Sequence, residues 1–268
     1  GSRREAASCF HALRTRGNCF LRGMSRPLVI HCDGPQPWDH AQHGGHGGGT
    51  ELHFARLDEL RSKLNEYLAM LDPVEAARAD RFRQEHDRER FILGHGFMRE
   101  TIAARVDEDP ALIRFARGAF GKPYIEGRIL RFNFSDTKDA VLIGMSNGDE
   151  LGVDLETLSR TLDHEAVSGH YFTQEEDSDI RSAPDGKRRF LELWTRKEAV
   201  LKASGVGIMD DLRALRVDAN LNHTTISHEA FVQFAAESYH VRTWHIGDEH
   251  IASLAMSGPL PEVIRIGA

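Results

Sequence analysis

Apolar and polar residues alternate in the segment L-G-V-D-L-E, residues 151–156. The apolar positions predict a strand with one buried face, because successive side chains of a strand point to opposite sides of its sheet. Asp154 and Glu156 then share the other face. The strand therefore presents two carboxylates together.

A helical period follows in residues 187–204, which we predict to form a long helix ended by Gly205. Glu198 and Lys202 are four residues apart, so both side chains leave the same side of this helix. Such a pair is also common on solvated helices, where it contributes only about 0.2–0.5 kcal/mol. Whether Glu198 and Lys202 form part of a functional site depends on which residues face this side of the helix.

The remaining pattern predicts a mixed α+β fold. A strand begins near Glu51, and helices cover residues 58–71 and 74–106. We expect the second of these helices to break near Gly94 and Gly96.

A turn signal divides the chain near its middle. Asn147 and Gly148 lie between two alternating runs, residues 139–146 and 150–156. An Asn-Gly dipeptide in this position predicts a β-hairpin, which would brace the strand that carries Asp154.

We expect residues 1–50 to form a flexible N-terminal arm, with ordered structure beginning near Glu51. The glycine-rich tract at 44–49 cannot bury enough apolar surface to offset its ordering entropy. Three histidines lie in or beside this tract, but their spacing defines no metal site without helical order; they are His40, His43 and His46.

Composition narrows the class of protein. With 268 residues and 40% hydrophobic content, the chain can build one substantial domain or two small ones. A net charge of −7 argues against nucleic acid as a partner. No apolar run approaches the roughly 18 residues of a membrane span. The three cysteines all precede residue 33, so no disulfide framework supports the predicted fold, and a reducing cytoplasm is expected.

The predicted strand and helix together suggest a chemistry. Two acids on the strand, with an acid and a base on the helix, suit Mg²⁺ and a phosphorylated substrate. Mg²⁺ is usually held by few carboxylates plus substrate phosphate oxygens.

The order of these segments resembles a known signature. G-V-D-L-E followed by W-T-R-K-E-A-V-L-K is similar to the signature of the 4′-phosphopantetheinyl transferases. F-G-K-P at 120–123 and F-N-F-S at 132–135 resemble two further family segments, but Asp136 stands where the family usually has histidine. The resemblance covers roughly residues 50–258 and favours the larger class that activates peptide and polyketide synthases. The signature positions matched are Asp154, Glu156, Trp194, Lys197, Glu198 and Lys202.

This resemblance implies a fold and a reaction. It implies two similar α+β halves, residues 51–148 and 149–268, related by pseudo-twofold symmetry with coenzyme A in the cleft between them. A cytoplasmic monomer would transfer the phosphopantetheine arm of coenzyme A to a serine of an apo acyl or peptidyl carrier protein. Adenosine 3′,5′-bisphosphate would be released, with Mg²⁺ or Mn²⁺ as cofactor.

The resemblance also implies roles for individual residues. Asp154, Glu156 and Glu198 would hold the metal, and Lys202 would offset charge on the diphosphate. The base that takes the serine proton would be Glu198, a metal-held water or Glu176. The residues expected to contact coenzyme A are Arg78, Arg90, Gly121, Lys122, Pro123, Ser135, Asp136, Lys197 and Lys202.

Some alternatives stay open from sequence alone. Thr173 and Glu176 form a T-x-x-E capping box, which would give Glu176 a structural role instead of a catalytic one. The departure at Asp136 also leaves room for a non-catalytic module that binds coenzyme A or a carrier protein. A metal-dependent nucleotide phosphohydrolase could use the same charges to direct attack by water.

Overall fold

A computed structural model describes residues 24–38, 49–207, 209, 211–262 and 264–267. The strands are β1 Arg26–Cys32, β2 Gln36–Pro37, β3 Glu51–Arg56, β4 Phe115–Arg117, β5 Pro123–Ile125, β6 Arg131–Asp136, β7 Ala140–Ser146, β8 Leu151–Thr157, β9 Leu221–Ile226, β10 Ser238–Ile246, β11 His250–Met256 and β12 Arg265–Gly267. The helices are α1 Leu57–Leu60, α2 Leu64–Met70, α3 Pro73–Ala79, α4 Glu85–Val106, α5 His164–Tyr171, α6 Gln174–Ser182, α7 Gly186–Ser204 and α8 Glu229–Phe234.

Two main sheets organise these elements. The first has the order β12-β3-β7-β6, and the second has the order β8-β11-β10-β1-β9 with β2 paired to β10. Apolar residues from β3, β7, β8 and β11 form one core cluster, so the two sheets pack against each other. Helix α4 covers the outer face of the first sheet and α7 that of the second. The predicted α+β class is confirmed, whereas the pseudo-twofold relation stays a prediction.

The flexible-arm prediction is wrong for residues 26–38. Strand β1 lies inside the second sheet, parallel to β10 and antiparallel to β9. Its alternation buries Leu28 and Ile30 completely. The Arg26 guanidinium donates to four main-chain carbonyls at the end of α8, those of Phe231, Val232, Ala235 and Ala236. The histidines at 40, 43 and 46 and the cysteines at 9 and 19 lie outside the described residues.

The predicted hairpin at Asn147 and Gly148 is also wrong. Strand β8 pairs with β11, while β7 pairs with β3 and β6 in the other sheet. A type I′ turn needs positive φ at both central residues, and neither Asn147 nor Gly148 has it. The strands instead meet face to face: a Cβ at Gly144 would lie 2.6 Å from Cγ1 of Val153.

Sheet membership does not follow the predicted halves 51–148 and 149–268. Strand β12 comes from the second segment yet pairs with β3, and β1 precedes both segments yet joins the second sheet. The boundary itself stays a prediction. None of the helices in the described part of the chain has the length and apolarity to cross a bilayer.

Candidate active site

A close contact between β8 and α7 builds the site. Gly152 lies against the helix backbone, where a Cβ would be 2.2 Å from the Ala199 carbonyl oxygen and 2.3 Å from the Ala203 nitrogen. Only glycine permits this approach. Because Asp154 follows on the same face of β8, the Lys202 ammonium reaches it, with Nζ 2.6 Å from Oδ1.

Asp154 has one satisfied oxygen and one unsatisfied oxygen. Oδ1 accepts from Lys202 Nζ and from Ser135 Oγ, the latter at 3.1 Å. Oδ2 is buried and has no hydrogen-bond partner among the described residues. A buried carboxylate oxygen without a partner is costly, so this atom is suited to a bound cation.

The negative charge of Asp154 acts on two nearby carboxyl groups, those of Glu156 and Glu198. Burial, and then the charge of Asp154, raise the pKa of Glu156 to about 7. The same two causes raise the pKa of Glu198 above its ordinary value. A divalent cation would relieve this repulsion, so the three predicted metal ligands fit such an ion by charge.

These acids are not assembled as a ready coordination shell. In the described part of the chain, no three acidic, histidine or cysteine side chains are grouped closely enough to hold a metal ion. Two cations neutralise the acids instead: Lys202 pairs with Asp154, and Arg160 Nη1 donates to Glu156 Oε1.

A cleft of about 620 Å³ opens beside these groups. Its walls come from β6, β8, the turns that follow them, α4 and α7. Six of the predicted site residues line it, namely Arg90, Ser135, Asp136, Asp154, Glu156 and Lys202. Glu198 lies one helical turn before Lys202 and is half-buried.

Asp136 has a cationic neighbour in this cleft. Arg90 Nε lies 3.5 Å from Asp136 Oδ2, and Arg90 Nη2 lies 3.6 Å from Asp87 Oδ1. Arg90 is therefore shared by two carboxylates. Arg78 is not among the lining residues; its guanidinium lies over the Phe91 ring, 5.0 Å from the centroid.

The turn at 121–123 does not line the cleft that contains Asp154 and Lys202. Lys122 and Pro123 line a separate cleft of about 290 Å³. Lys122 Nζ donates to Glu150 Oε2 at 2.8 Å and to the Leu151 carbonyl at 2.9 Å, and burial lowers its pKa. Gly121 provides the positive φ, +87°, that this turn requires. Lys122 thus ties the turn to the start of β8.

Glu176 and Lys197 form a buried ion pair and do not reach the cleft. Both side chains are fully buried, with Lys197 Nζ 2.8 Å from Glu176 Oε2. Lys197 also donates to the carbonyls of Leu212 and Leu215, and Glu176 Oε1 accepts from the Val217 amide. The capping box of Thr173 with Glu176 is observed. These contacts correct the expectation that Lys197 meets coenzyme A and that Glu176 faces the reaction.

Two further cations, which the sequence motifs did not indicate, line the cleft. Lys138 follows the end of β6, and Arg160 follows the end of β8. Both stand just beyond strands that carry predicted site residues. The sequence held no usable signal for their meeting, because β6 and β8 lie in different sheets and come together only through the packing of those sheets.

Comparisons with known proteins identify the family of this chain. Residues 150–255 match the sequence model of the 4′-phosphopantetheinyl transferase superfamily, and residues 58–147 match that of the N-terminal region of a 4′-phosphopantetheinyl transferase. The chain therefore belongs to the 4′-phosphopantetheinyl transferase superfamily, in the class that includes Sfp of Bacillus subtilis. It is an enzyme of that family.

Three relatives illustrate the similarity. HetI, a 4′-phosphopantetheinyl transferase of Nostoc sp., is 35% identical over 166 residues, covering 59% of this chain and 70% of HetI. A putative 4′-phosphopantetheinyl transferase of Synechocystis sp. is 31% identical over 188 residues, covering 68% of this chain and 73% of the relative. Sfp is 26% identical over 153 residues, covering 56% and 67%.

Proposed function

We propose that this enzyme transfers the 4′-phosphopantetheine group of coenzyme A to a serine hydroxyl of an apo acyl or peptidyl carrier protein. Family membership supports the reaction. The observation that carries the assignment of the site is the contact of Lys202 Nζ with Asp154 Oδ1 at 2.6 Å, beside the unpartnered Asp154 Oδ2. This contact joins the two signature segments at the cleft.

The chemistry is a phosphoryl transfer. The serine oxygen forms a bond to the phosphorus that carries the pantetheine arm, and the bond from that phosphorus to the bridging oxygen of the diphosphate breaks. Adenosine 3′,5′-bisphosphate leaves with the bridging oxygen, and the serine proton passes to a base. The protein acts mainly by positioning the groups and neutralising their charge.

Asp154, Glu156 and Glu198 would hold Mg²⁺ or Mn²⁺. Bound there, the ion would neutralise charge on the diphosphate. The unpartnered oxygen of Asp154 and the raised pKa values of both glutamates support this ligand set.

Lys202 and Ser135 act beside the acids. The Lys202 ammonium lies 3.1 Å from Ser135 Oγ, which also accepts from the Leu155 amide at 3.1 Å. In this position Lys202 offsets negative charge on the diphosphate as its bridging bond breaks, and Ser135 fixes the orientation of Asp154. Arg90 and Lys138 on the cleft wall would take further phosphate charge.

Glu198 is our choice for the base that takes the serine proton. It is half-buried and lies on α7 one helical turn before Lys202, beside the other proposed metal ligands. Glu176 is a poor alternative, because both of its oxygens already accept hydrogen bonds inside the fold. We further propose that the enzyme works as a monomer, because the contact between Asp154 and Lys202 at the cleft forms within one chain, and that it is cytoplasmic.

Intact-mass analysis tests the proposal. An apo carrier protein is incubated with coenzyme A, Mg²⁺ and the enzyme, with Asp154→Ala as the matched inactive control. A mass gain equal to phosphopantetheine that depends on the wild-type enzyme supports the proposal. Coenzyme A binding without a mass gain would point to a binding module. Consumption of coenzyme A without carrier protein would point to a phosphohydrolase.

A further inference from the structure

Arg160 holds one of the proposed metal ligands. Its Nη1 donates to Glu156 Oε1, and it lines the cleft three residues after the end of β8. The Arg160 side chain is 43% exposed, whereas that of Glu156 is 13% exposed. Glu156 is therefore the fixed partner of this pair, and Arg160 is the partner with room to move.

Arg160 and a metal ion would compete for the charge of the Glu156 carboxylate. Asp154 offers its free Oδ2 to a cation, but the Arg160 guanidinium lies on Glu156 Oε1. A divalent ion between these carboxylates would also be repelled by the guanidinium charge. Metal binding by Glu156 is therefore weakened while Arg160 stays in place and strengthened when it moves away.

We propose that Arg160 is a counterion switch: it neutralises Glu156 in the metal-free protein, gives up this carboxylate to Mg²⁺, and then binds the diphosphate of coenzyme A. This inference rests on the proposed function. A planar guanidinium binds phosphate oxygens in pairs, which suits Arg160 to its second role. Arg90 and Lys138 line the same cleft, so the released guanidinium would join two further cations around the phosphates.

If Arg160 is such a switch, its removal should strengthen metal binding and weaken the binding of coenzyme A. Arg160→Gln removes a competitor of the metal, so the affinity for a divalent cation rises in the absence of coenzyme A. The same change removes a ligand of the diphosphate, so the KM for coenzyme A rises. If Arg160 had only a structural role, Arg160→Gln would not tighten metal binding. It would also not combine tighter metal binding with a higher KM for coenzyme A.

The experiment measures both effects on the full-length chain. Binding of Mn²⁺ is followed by electron paramagnetic resonance without coenzyme A, and the KM for coenzyme A is measured at saturating Mg²⁺ with an apo carrier protein. For Arg160→Gln we expect Mn²⁺ to bind about two- to fivefold more tightly, as for loss of a half-exposed ion pair. We expect the KM for coenzyme A to rise about tenfold, as for loss of a hydrogen bond to a charged group.

Arg181 provides a matched control. It is 47% exposed and pairs with Asp177 at the same four-residue spacing, on α6 away from the cleft residues. Arg181→Gln should change neither quantity. Unchanged or weaker Mn²⁺ binding in Arg160→Gln, an unchanged KM, or the same shifts in Arg181→Gln would overturn the switch. If wild-type enzyme modifies no carrier protein, the proposed function itself fails, which the wild-type assay reveals separately.

Discussion

Gly152 and Ala199 are in such close contact that a Cβ on Gly152 would lie 2.2 Å from the Ala199 carbonyl oxygen. This contact sets the distance between β8 and α7. Asp154 and Lys202 stand on these two elements, so their 2.6 Å contact depends on a residue that takes no part in the chemistry.

Gly152→Ala should therefore damage both stability and activity. The added methyl group forces the strand and helix apart, because its clash is with backbone atoms that cannot rotate away. Overpacking of this kind typically costs about 1–3 kcal/mol. We expect a loss of this size in the free energy of unfolding, measured with denaturant, together with a lower kcat.

Gly169→Ala is the matched control. Gly169 lies within α5, and an added Cβ there would meet nothing within 4 Å. It should raise the free energy of unfolding by about 0.5–1 kcal/mol and leave kcat unchanged. Equal behaviour of the two variants would contradict the packing argument at Gly152.

Substitution of the proposed metal ligands should abolish the transfer reaction but leave part of the binding of coenzyme A. Asp154→Ala and Glu198→Ala remove carboxylates that would hold the metal ion, and that ion would neutralise charge on the reacting diphosphate. We expect the adenosine end of coenzyme A to bind without these carboxylates. We expect kcat to fall at least about 10²–10³-fold, with part of the coenzyme A affinity retained in calorimetry. Near-normal Mg²⁺-dependent transfer by either variant would refute the site assignment.

Glu176→Gln distinguishes a structural role from a catalytic one. Glutamine can also complete the capping box, but it leaves the buried Lys197 ammonium without its counterion. Removing one partner of a buried ion pair costs about 3–5 kcal/mol, so we expect a large loss of unfolding free energy.

The kcat of the folded enzyme should remain close to wild type in Glu176→Gln, because neither side chain of the pair reaches the cleft. Glu175→Gln is a suitable control, since this neighbouring glutamate is exposed. A collapse of kcat in Glu176→Gln with wild-type stability would restore the catalytic role.

Glu156 gives the metal-free enzyme a pH-dependent stability. Its pKa in the folded protein is about 7, above the ordinary 4.5, because burial and Asp154 disfavour the charged form. The folded state thus holds this proton more tightly than the unfolded state. The resulting stabilisation is complete below pH 4.5 and is lost as pH rises through about 7.

Glu156→Gln should remove this dependence. Measured in denaturant with chelator present, the wild type should lose up to about 3 kcal/mol relative to Glu156→Gln between pH 4.5 and 8. Added Mg²⁺ should reduce the loss, because the ion favours the charged form. Parallel pH profiles for the two proteins would show that Glu156 titrates normally.

The sequence pattern within β8 and within α7 predicted which site residues each of these two elements presents. Alternation placed Asp154 and Glu156 on one strand face, and helical spacing placed Glu198 and Lys202 together before Gly205 ended the helix. In contrast, the predicted break near Gly96 is wrong: α4 runs through it, and the missing side chain makes room for the Tyr67 ring. That need arises from packing against another helix, which local periodicity does not report.

Non-local pairing explains the other errors. The partner of β8 is β11, far along the chain, and a turn signal at Asn147 describes only neighbouring residues. Strand β1 alternates like any strand, yet its place between β10 and β9 depends on residues near the other end of the sequence. The burial of Lys197 likewise depends on the carbonyls of Leu212 and Leu215, which no motif specifies.

Asp136 is the clearest departure from the family pattern, and it should alter recognition of the 3′-phosphate of coenzyme A. A histidine can donate a hydrogen bond to a phosphate, whereas a carboxylate can only accept one and repels the phosphate charge. Two unit charges about 4 Å apart interact by about 4 kcal/mol at an effective dielectric constant of about 20. Repulsion of this size between Asp136 and the 3′-phosphate must be offset by a nearby positive charge.

Arg90 is placed to provide that compensation, because its Nε lies 3.5 Å from Asp136 Oδ2. An arginine that already serves Asp136 and Asp87 has less charge to offer a phosphate. We therefore expect the preference for coenzyme A over 3′-dephospho-coenzyme A to be small in the wild type. Asp136→His should enlarge it, since the substitution removes a negative charge and frees Arg90.

Values of kcat/KM for both donors, measured in both proteins with the same carrier protein, test this expectation. Asp136→Asn is the informative control, because it removes the charge without adding a donor that can be protonated. An intermediate preference in Asp136→Asn would assign part of the effect to released Arg90 and part to the imidazole. A large wild-type preference that Asp136→His leaves unchanged would refute the role of this position, because neither the repulsion nor its relief would then reach the bound nucleotide.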